Sequence, residues 1–477
     1  MIDEPPVVST PQRFLRSTVA SYASLLVRLL VTTAARMLLA RLVVPEAHGA
    51  YDLALRVVTV ASAFRDLGLT YQLMRDERRP YGTVLAFSLV SGGVLTLLVW
   101  ASAPLAGPFA PELPPVLRVF SLWVLLDGLV AVPRTFFERE LRIGRLVLPE
   151  IARGLLVAAL SVVLAWRGWG VWSLVWGDLA GSALFALLVW RRGWGRVPLQ
   201  IDWSLLPDLL RRGRTLFVIW VLFYLVTYLD SFVVRAFGDA ATVGQYGRAY
   251  FLAFLTRQIV FPRALLPALV EYRDDPPRFA EAFRLGTVFL LFFEVTAGFF
   301  LFYNAPAVVD LFLGPQWQPA VGLLRILCFV PFLDVFSELG GEILKVRNED
   351  RLWLLIMALN LVSLLGFSIL FTHHWGATGM AWANFLLAGN LVMGWRLARI
   401  FGPAFRRLLR DMALVYLAPL TLFSSAALVF PDGGPPRLAA SAVAGLLAAA
   451  IVGWRFRRLV RRFLAGRAEG RAGGADR

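Results

Sequence analysis

Apolar runs of roughly 20 residues succeed one another along almost the whole chain, and about 20 residues is the length a helix needs to cross the hydrocarbon of a bilayer. Short arginine-rich stretches separate these runs. A soluble chain of 477 residues would divide into domains with polar surfaces and linkers. This one is 58% hydrophobic, with a mean hydropathy of +0.67. The expected fold is an all-α polytopic membrane protein with about 14 transmembrane helices. The spans read as 16–43, 51–74, 82–104, 114–134, 146–166, 169–190, 214–236, 244–269, 284–304, 319–344, 351–372, 376–396, 411–430 and 437–455.

The basic residues set the orientation. There are 47 arginines and one lysine, Lys345, and the formal net charge is +16. Placing the amino terminus inside puts 34 of the 48 basic residues in cytoplasmic segments, and only Arg167, Arg235 and Arg437 in external loops. This is the positive-inside pattern, and removing any one span would break it downstream. Nucleic acid is therefore not expected as a partner, because the charge follows the loops and forms no binding patch. The scarcity of lysine points to a GC-rich, bacterial source. Together these place the chain in a bacterial cytoplasmic (inner) membrane as a multi-pass protein, with both termini cytoplasmic. The opening residues read as a polar cytoplasmic tail without a cleaved signal peptide, and the basic end as an anchor to anionic headgroups. Cys328 is the single cysteine, which excludes an intrachain disulfide.

A weak internal repeat appears at a spacing of about 195 residues. Ala40-Arg41 followed by Gly49-Ala50-Tyr51 has a counterpart in Val234-Arg235 followed by Gly244-Gln245-Tyr246. Gly168-Trp169-Gly170-Val171 and Gly376-Ala377-Thr378-Gly379 form a second pair. The expected organisation is a tail (1–15), two parallel six-helix bundles (16–212 and 213–400), two C-terminal helices (401–455) and a basic tail (456–477). Parallel repeats of this kind belong to secondary transporters whose binding site lies between the halves.

The segment Ala40-Arg41-Leu42-Val43-Val44-Pro45-Glu46-Ala47-His48-Gly49-Ala50-Tyr51 resembles the signature of bacterial oligosaccharide-lipid (O-antigen type) flippases. Asp66-Leu67-Gly68-Leu69, Arg139-Glu140-Leu141-Arg142 and Leu313-Gly314-Pro315-Gln316-Trp317 resemble further motifs of that family, as do the positions of Asp230, Tyr246 and Pro267. The resemblance covers residues 15–400 or so and implies the fold of the multidrug/oligosaccharidyl-lipid/polysaccharide (MOP) exporters, MATE-like in architecture. His48 departs from the usual aromatic, and the acid-rich tenth span departs from the family pattern.

Arginine at membrane depth costs roughly 2.5–3.5 kcal/mol on insertion scales, so such residues tend to face protein or a water-filled cavity. Arg28 and Arg36 lie in the first span, Arg56 and Arg65 in the second, and Arg248 and Arg257 in the eighth. By the repeat, helices one and two correspond to seven and eight, which in the resembling fold line a central cleft. A guanidinium array there suits a diphosphate, because arginine donates in a planar fork to phosphate oxygens. Local pairing is the competing role, since Arg56 follows Asp52 by one helical turn and Arg65 adjoins Asp66. Among the acids, Asp230, Glu294, Asp334 and Glu338 are candidates for carrying a coupling proton or Na⁺. Fixing helix packing by pairing with the arginines is their more ordinary role. Adjacent His373 and His374 are expected in an external turn, where neighbours rarely converge on a metal, and no metal or cofactor is implied.

The resulting expectation is a flippase, not an enzyme, for an undecaprenyl-diphosphate-linked oligosaccharide in polysaccharide biosynthesis. Its partners would be the polyprenyl-diphosphate-linked glycan, the lipid bilayer and other polysaccharide-assembly membrane proteins. A lipid II flippase and a MATE-type drug exporter are the alternatives. A membrane glycan polymerase is disfavoured, because no external loop is large enough to carry a catalytic domain.

Overall fold

The computed structural model describes residues 30–140, 142, 144–255, 257, 272, 275–347, 349–432 and 434–472. Among them there is no strand, and the chain runs as helices α1 (30–42), α2 (Pro45–Asp66), α3 (Leu69–Arg75), α4 (Tyr81–Ser102), α5 (Leu113–Phe120) and α6 (Leu122–Arg139). Next come α7 (Gly144–Trp166), α8 (Val171–Gly193), α9 (Leu206–Phe237), α10 (Ala240–Ala253) and α11 (Pro276–Phe312). The last are α12 (Ala320–Leu327), α13 (Val330–Val346), α14 (Asp350–Ala383), α15 (Ala388–Phe401), α16 (Pro403–Val429) and α17 (Gly434–Ala472).

The helix starts follow from local chemistry. Proline opens α2, α11 and α16, where its missing N–H would have had no partner anyway. Asp239 and Asp275 cap α10 and α11 by accepting from the backbone N–H groups of Thr242 and Arg278. The surface carries exposed Leu97, Trp100, Leu187, Leu391 and Leu446, an apolar exterior that lipid can solvate.

Each of the fourteen expected spans falls, over its described residues, on one helix or on two joined by a break. Nine helical stretches among the described residues are long and apolar enough to cross a membrane. A tenth is reached when the bent pair α12 and α13, at 41°, counts as one span. The stretch Asp350–Phe401 contains 52 residues, about 78 Å of helix at ~1.5 Å per residue. That is more than twice the ~30 Å hydrocarbon, and breaks at Gly376 and over 384–387 divide it.

The chain forms two compact units, Met1–Tyr224 and Leu225–Arg477. In the first, Gly177 and Gly181 let α8 approach α7 closely: a Cβ on Gly177 would meet Ser161 Oγ, and one on Gly181 would meet Val157. Leu67 and Gly68 both take left-handed backbone angles and turn α2 into α3. A Cβ on Gly68 would lie 2.9 Å from the Gly213 carbonyl oxygen of α9. In the second unit α11 packs against α16 and α17 around Phe299, Phe423 and Ala444. There Asn384 donates to the Tyr246 hydroxyl at 2.9 Å.

The units share more than the repeat in the sequence suggests. Gly170 (φ 51°, ψ −128°) and Gly376 (φ 56°, ψ −143°) have nearly the same backbone conformation, so the matching glycines are Gly170 and Gly376 rather than Gly168 and Gly376. Each unit also breaks a helix after eight residues, α5 before α6 and α12 before α13. The short piece carries Leu117-Arg118 in one and Leu324-Arg325 in the other, two residues before its end, followed at equal distance by Asp127 and Asp334.

Candidate functional site

Arg65 lies in the last turn of α2 and is only 4% exposed. Its stem is accommodated by two glycines. A Cβ on Gly92 of α4 or Gly128 of α6 would come within 3.3 or 3.1 Å of Arg65 Cδ. Its Nη2 donates to Asp127 Oδ2 of α6 at 3.0 Å. Asp127 is the more open partner, 39% exposed. Arg65 Nε and Nη1 are buried without a hydrogen-bond partner among the described residues. A buried donor left unpaired costs about 1–3 kcal/mol, more when charged.

This pair lines a cavity of about 560 Å³ wholly within the first unit. Three guanidiniums (Arg65, Arg134 and Arg153) face three carboxylates (Asp66, Asp127 and Glu138) in its wall. Arg134 Nε bonds Glu138 at 2.8 Å across one helical turn, and the Arg153 guanidinium lies 5.8 Å from the Phe185 ring. Asp66 accepts from the Thr70 backbone N–H and hydroxyl. Trp123, Phe217, Trp220 and Tyr224 supply an aromatic side. Trp220 stands edge-on to Phe223 and tilted toward Tyr224, which fixes its ring plane. Ser62 and Ser182 are also in the wall, and their buried hydroxyls have no partner among the described residues.

Of the residues singled out in the sequence, the structure brings Arg65 to Asp127, a partner remote in sequence, as well as next to Asp66. In the second unit Arg257 bridges two acids of α13, Asp334 at 3.2 Å and Glu338. This is the pairing role considered for those acids. Arg36 lies on α1, Arg56 on α2 and Arg248, buried, on α10. Asp230 is 2% exposed and accepts from the Ser231 N–H at 2.6 Å, while Glu294 is 3% exposed in α11. Arg28 and Pro267 lie outside the described residues. His373 and His374 stand in helix α14 rather than in a turn, which begins only at Gly376. No group of three metal-ligating side chains converges among the described residues.

Sequence reasoning missed Trp123, Arg134, Glu138, Arg153 and Trp220. Arg134 and Glu138 resembled loop charges at the inner end of a span, although their spacing on one helix face was a usable signal. Outside the membrane segments, charge pairs tie loops to helices. The Arg78 guanidinium and backbone N–H hold the Asp76 carboxyl below the usual carboxylate range. Arg396, with Arg347, does the same for Glu349.

Successive apolar helices in two units, each with an arginine–aspartate couple, define an all-α multi-pass membrane protein. The fold matches the lipid II flippase MurJ in an inward closed conformation at a TM-score of 0.74, with 16% identity, covering 93% of this chain and 99% of that one. It also matches the inward-facing conformation of a multidrug resistance MATE family transporter of the MOP superfamily at 0.61, with 17% identity, covering 80% and 95%. The chain belongs to the polysaccharide biosynthesis protein family, whose profile matches residues 38–322. It is similar to the amylovoran biosynthesis protein AmsL of Erwinia amylovora, 22% identical over 61% of this chain and 77% of AmsL. The succinoglycan biosynthesis transport protein ExoT of Rhizobium meliloti (strain 1021) is 27% identical over 61% of each chain. The match with ExoT thus spans less than two thirds of that relative.

Proposed function

We propose that this protein translocates an undecaprenyl-diphosphate-linked oligosaccharide from the inner to the outer leaflet of a bacterial cytoplasmic membrane by alternating access. The observation that carries the reading is the cavity of the first unit, where charged and aromatic side chains surround a membrane-buried Arg65 with donors to spare. Lipid surrounding a polytopic protein offers such groups no partner, so charged side chains lining an open cavity support polar cargo. Family membership in polysaccharide biosynthesis supports a glycan as that cargo. Arg28, Arg36, Arg56 and Arg248 are proposed contacts for its diphosphate. Arg257 would reach a phosphate by exchanging one of its two carboxylate partners, which makes Asp334 and Glu338 candidates for a coupling proton. In this reading the chain performs no catalysis and both termini are cytoplasmic.

The test is reconstitution in vesicles with a lipid-linked oligosaccharide whose exposed glycan is read by an impermeant oxidant. The wild-type chain should accelerate exposure of the inner-leaflet pool, and Arg65→Ala should lose at least about tenfold, the effect of ~1.4 kcal/mol. A rate equal to that of protein-free vesicles would refute the proposal. The aromatic side of the cavity, with three carboxylates in its wall, also favours a second reading, export of an aromatic cation. Ethidium efflux by the same vesicles, with no glycan movement, would select it.

A further inference from the structure

The cavity of the first unit presents a donor and acceptor pattern that a diphosphate does not complement. A phosphate oxygen at neutral pH only accepts hydrogen bonds. Three carboxylates share the wall with three guanidiniums, so the fixed charge sums to zero when all are ionised. A dianion there would face Asp66, Asp127 and Glu138 at close quarters in a low dielectric, and would offer those acceptors nothing to accept. A hydroxyl both donates and accepts. A ring bearing several hydroxyls can therefore donate to the carboxylates and accept from Arg65, Arg134 and Arg153 at the same time.

Two further observations agree. Trp123, Trp220 and Tyr224 give the cavity flat apolar faces with polar tips, the surface against which the C–H face of a pyranose packs. Ser62 Oγ, Ser182 Oγ, Arg65 Nε and Arg65 Nη1 belong to wall residues, and all four are buried without partners among the described residues. Buried polar atoms are nearly always paired, so four unpaired in the residues of one wall mark a place with bonding capacity left over. A volume of about 560 Å³ falls among pockets that enclose a compact ligand.

We infer that this cavity is a subsite for a neutral, hydroxylated sugar unit of the cargo, and that the diphosphate is held elsewhere. The inference rests on the glycan-transport reading above and assigns the sugar to a place inside the first unit.

The experiment measures binding to the purified full chain in nanodiscs. Its probes are undecaprenyl diphosphate and undecaprenyl-diphospho-sugars carrying glucose, galactose, N-acetylglucosamine or glucuronic acid. At least one neutral sugar should tighten binding about tenfold over the bare lipid. Trp220→Ala and Trp123→Ala should erase that gain while leaving bare-lipid affinity within about twofold, and Trp220→Phe, which keeps a ring, should retain most of it. The inference is overturned if no sugar tightens binding, if only the uronate does, or if the tryptophan variants weaken both lipids equally. Binding of none of the five lipids would instead overturn the glycan-transport reading itself.

Discussion

At the scale of the residue, the Arg65–Asp127 couple shows how a chain keeps a cation inside a bilayer. One of the three guanidinium nitrogens has a partner, its stem lies on two glycines, and its acid is the open end of the pair. Removing the acid alone strands a buried charge, whereas removing both partners leaves an apolar contact. Asp127→Leu should therefore lower unfolding stability in detergent by about 2 kcal/mol, and Arg65→Met combined with Asp127→Leu should recover most of that loss. A double variant no more stable than the single one would show that the couple does not hold α2 to α6. Arg65 was legible in the sequence because an arginine in an apolar run has to be explained. Its partner was not: Asp66 was the neighbour in the chain, and nothing local reveals that α6 brings Asp127 across. Trp123 and Trp220 were hidden for a related reason, since an aromatic facing a cavity and one facing lipid look alike in a span.

At the scale of the element, the breaks carry as much of the fold as the helices do. The apolar runs located nearly every helix, because a segment of that length and composition has few alternatives. The breaks within runs were less visible. Gly376 and Gly170 could be suspected from glycine alone, but the interruptions after Phe120 and Leu327 have no such marker. The turn at Leu67 and Gly68 is open to a direct test. Gly68 has φ 77°, and any side chain there would press on the Gly213 carbonyl. Gly68→Ala should cost about 1–2 kcal/mol from the left-handed conformation alone, with the close contact in addition. Gly93, in α4 with nothing within 4 Å of an added Cβ, is the control. Gly93→Ala should stabilise by about 0.5–1 kcal/mol. Thermal unfolding of the two variants side by side would decide it, and equal shifts would mean the corner does not depend on glycine.

At the scale of the whole molecule, orientation is the property the arginines argue for and that labelling can read. Cys328 is buried and is the single cysteine, so a Cys328→Ser background is blank for thiol reagents. In that background Asp432→Cys, between α16 and α17, should react with an impermeant maleimide on intact cells. Gln200→Cys, before α9, should react only after the membrane is opened. The reverse pattern would invert the topology. Loop charge makes orientation readable without any knowledge of packing. The cavity within the first unit required the structure, because six separate helices contribute its wall.

The glycines at positions 170 and 376 have a consequence for how the two units can drift apart. Their backbone angles, positive in φ and strongly negative in ψ, are open essentially to glycine alone. Lipid-facing side chains can exchange among leucine, valine and phenylalanine with little effect, so a half of this protein loses its record quickly on the outside. What persists is the small set of places where stereochemistry admits one residue or where a charge must be answered. A comparison of halves weighted toward those few positions would keep the register that whole-sequence similarity has already blurred.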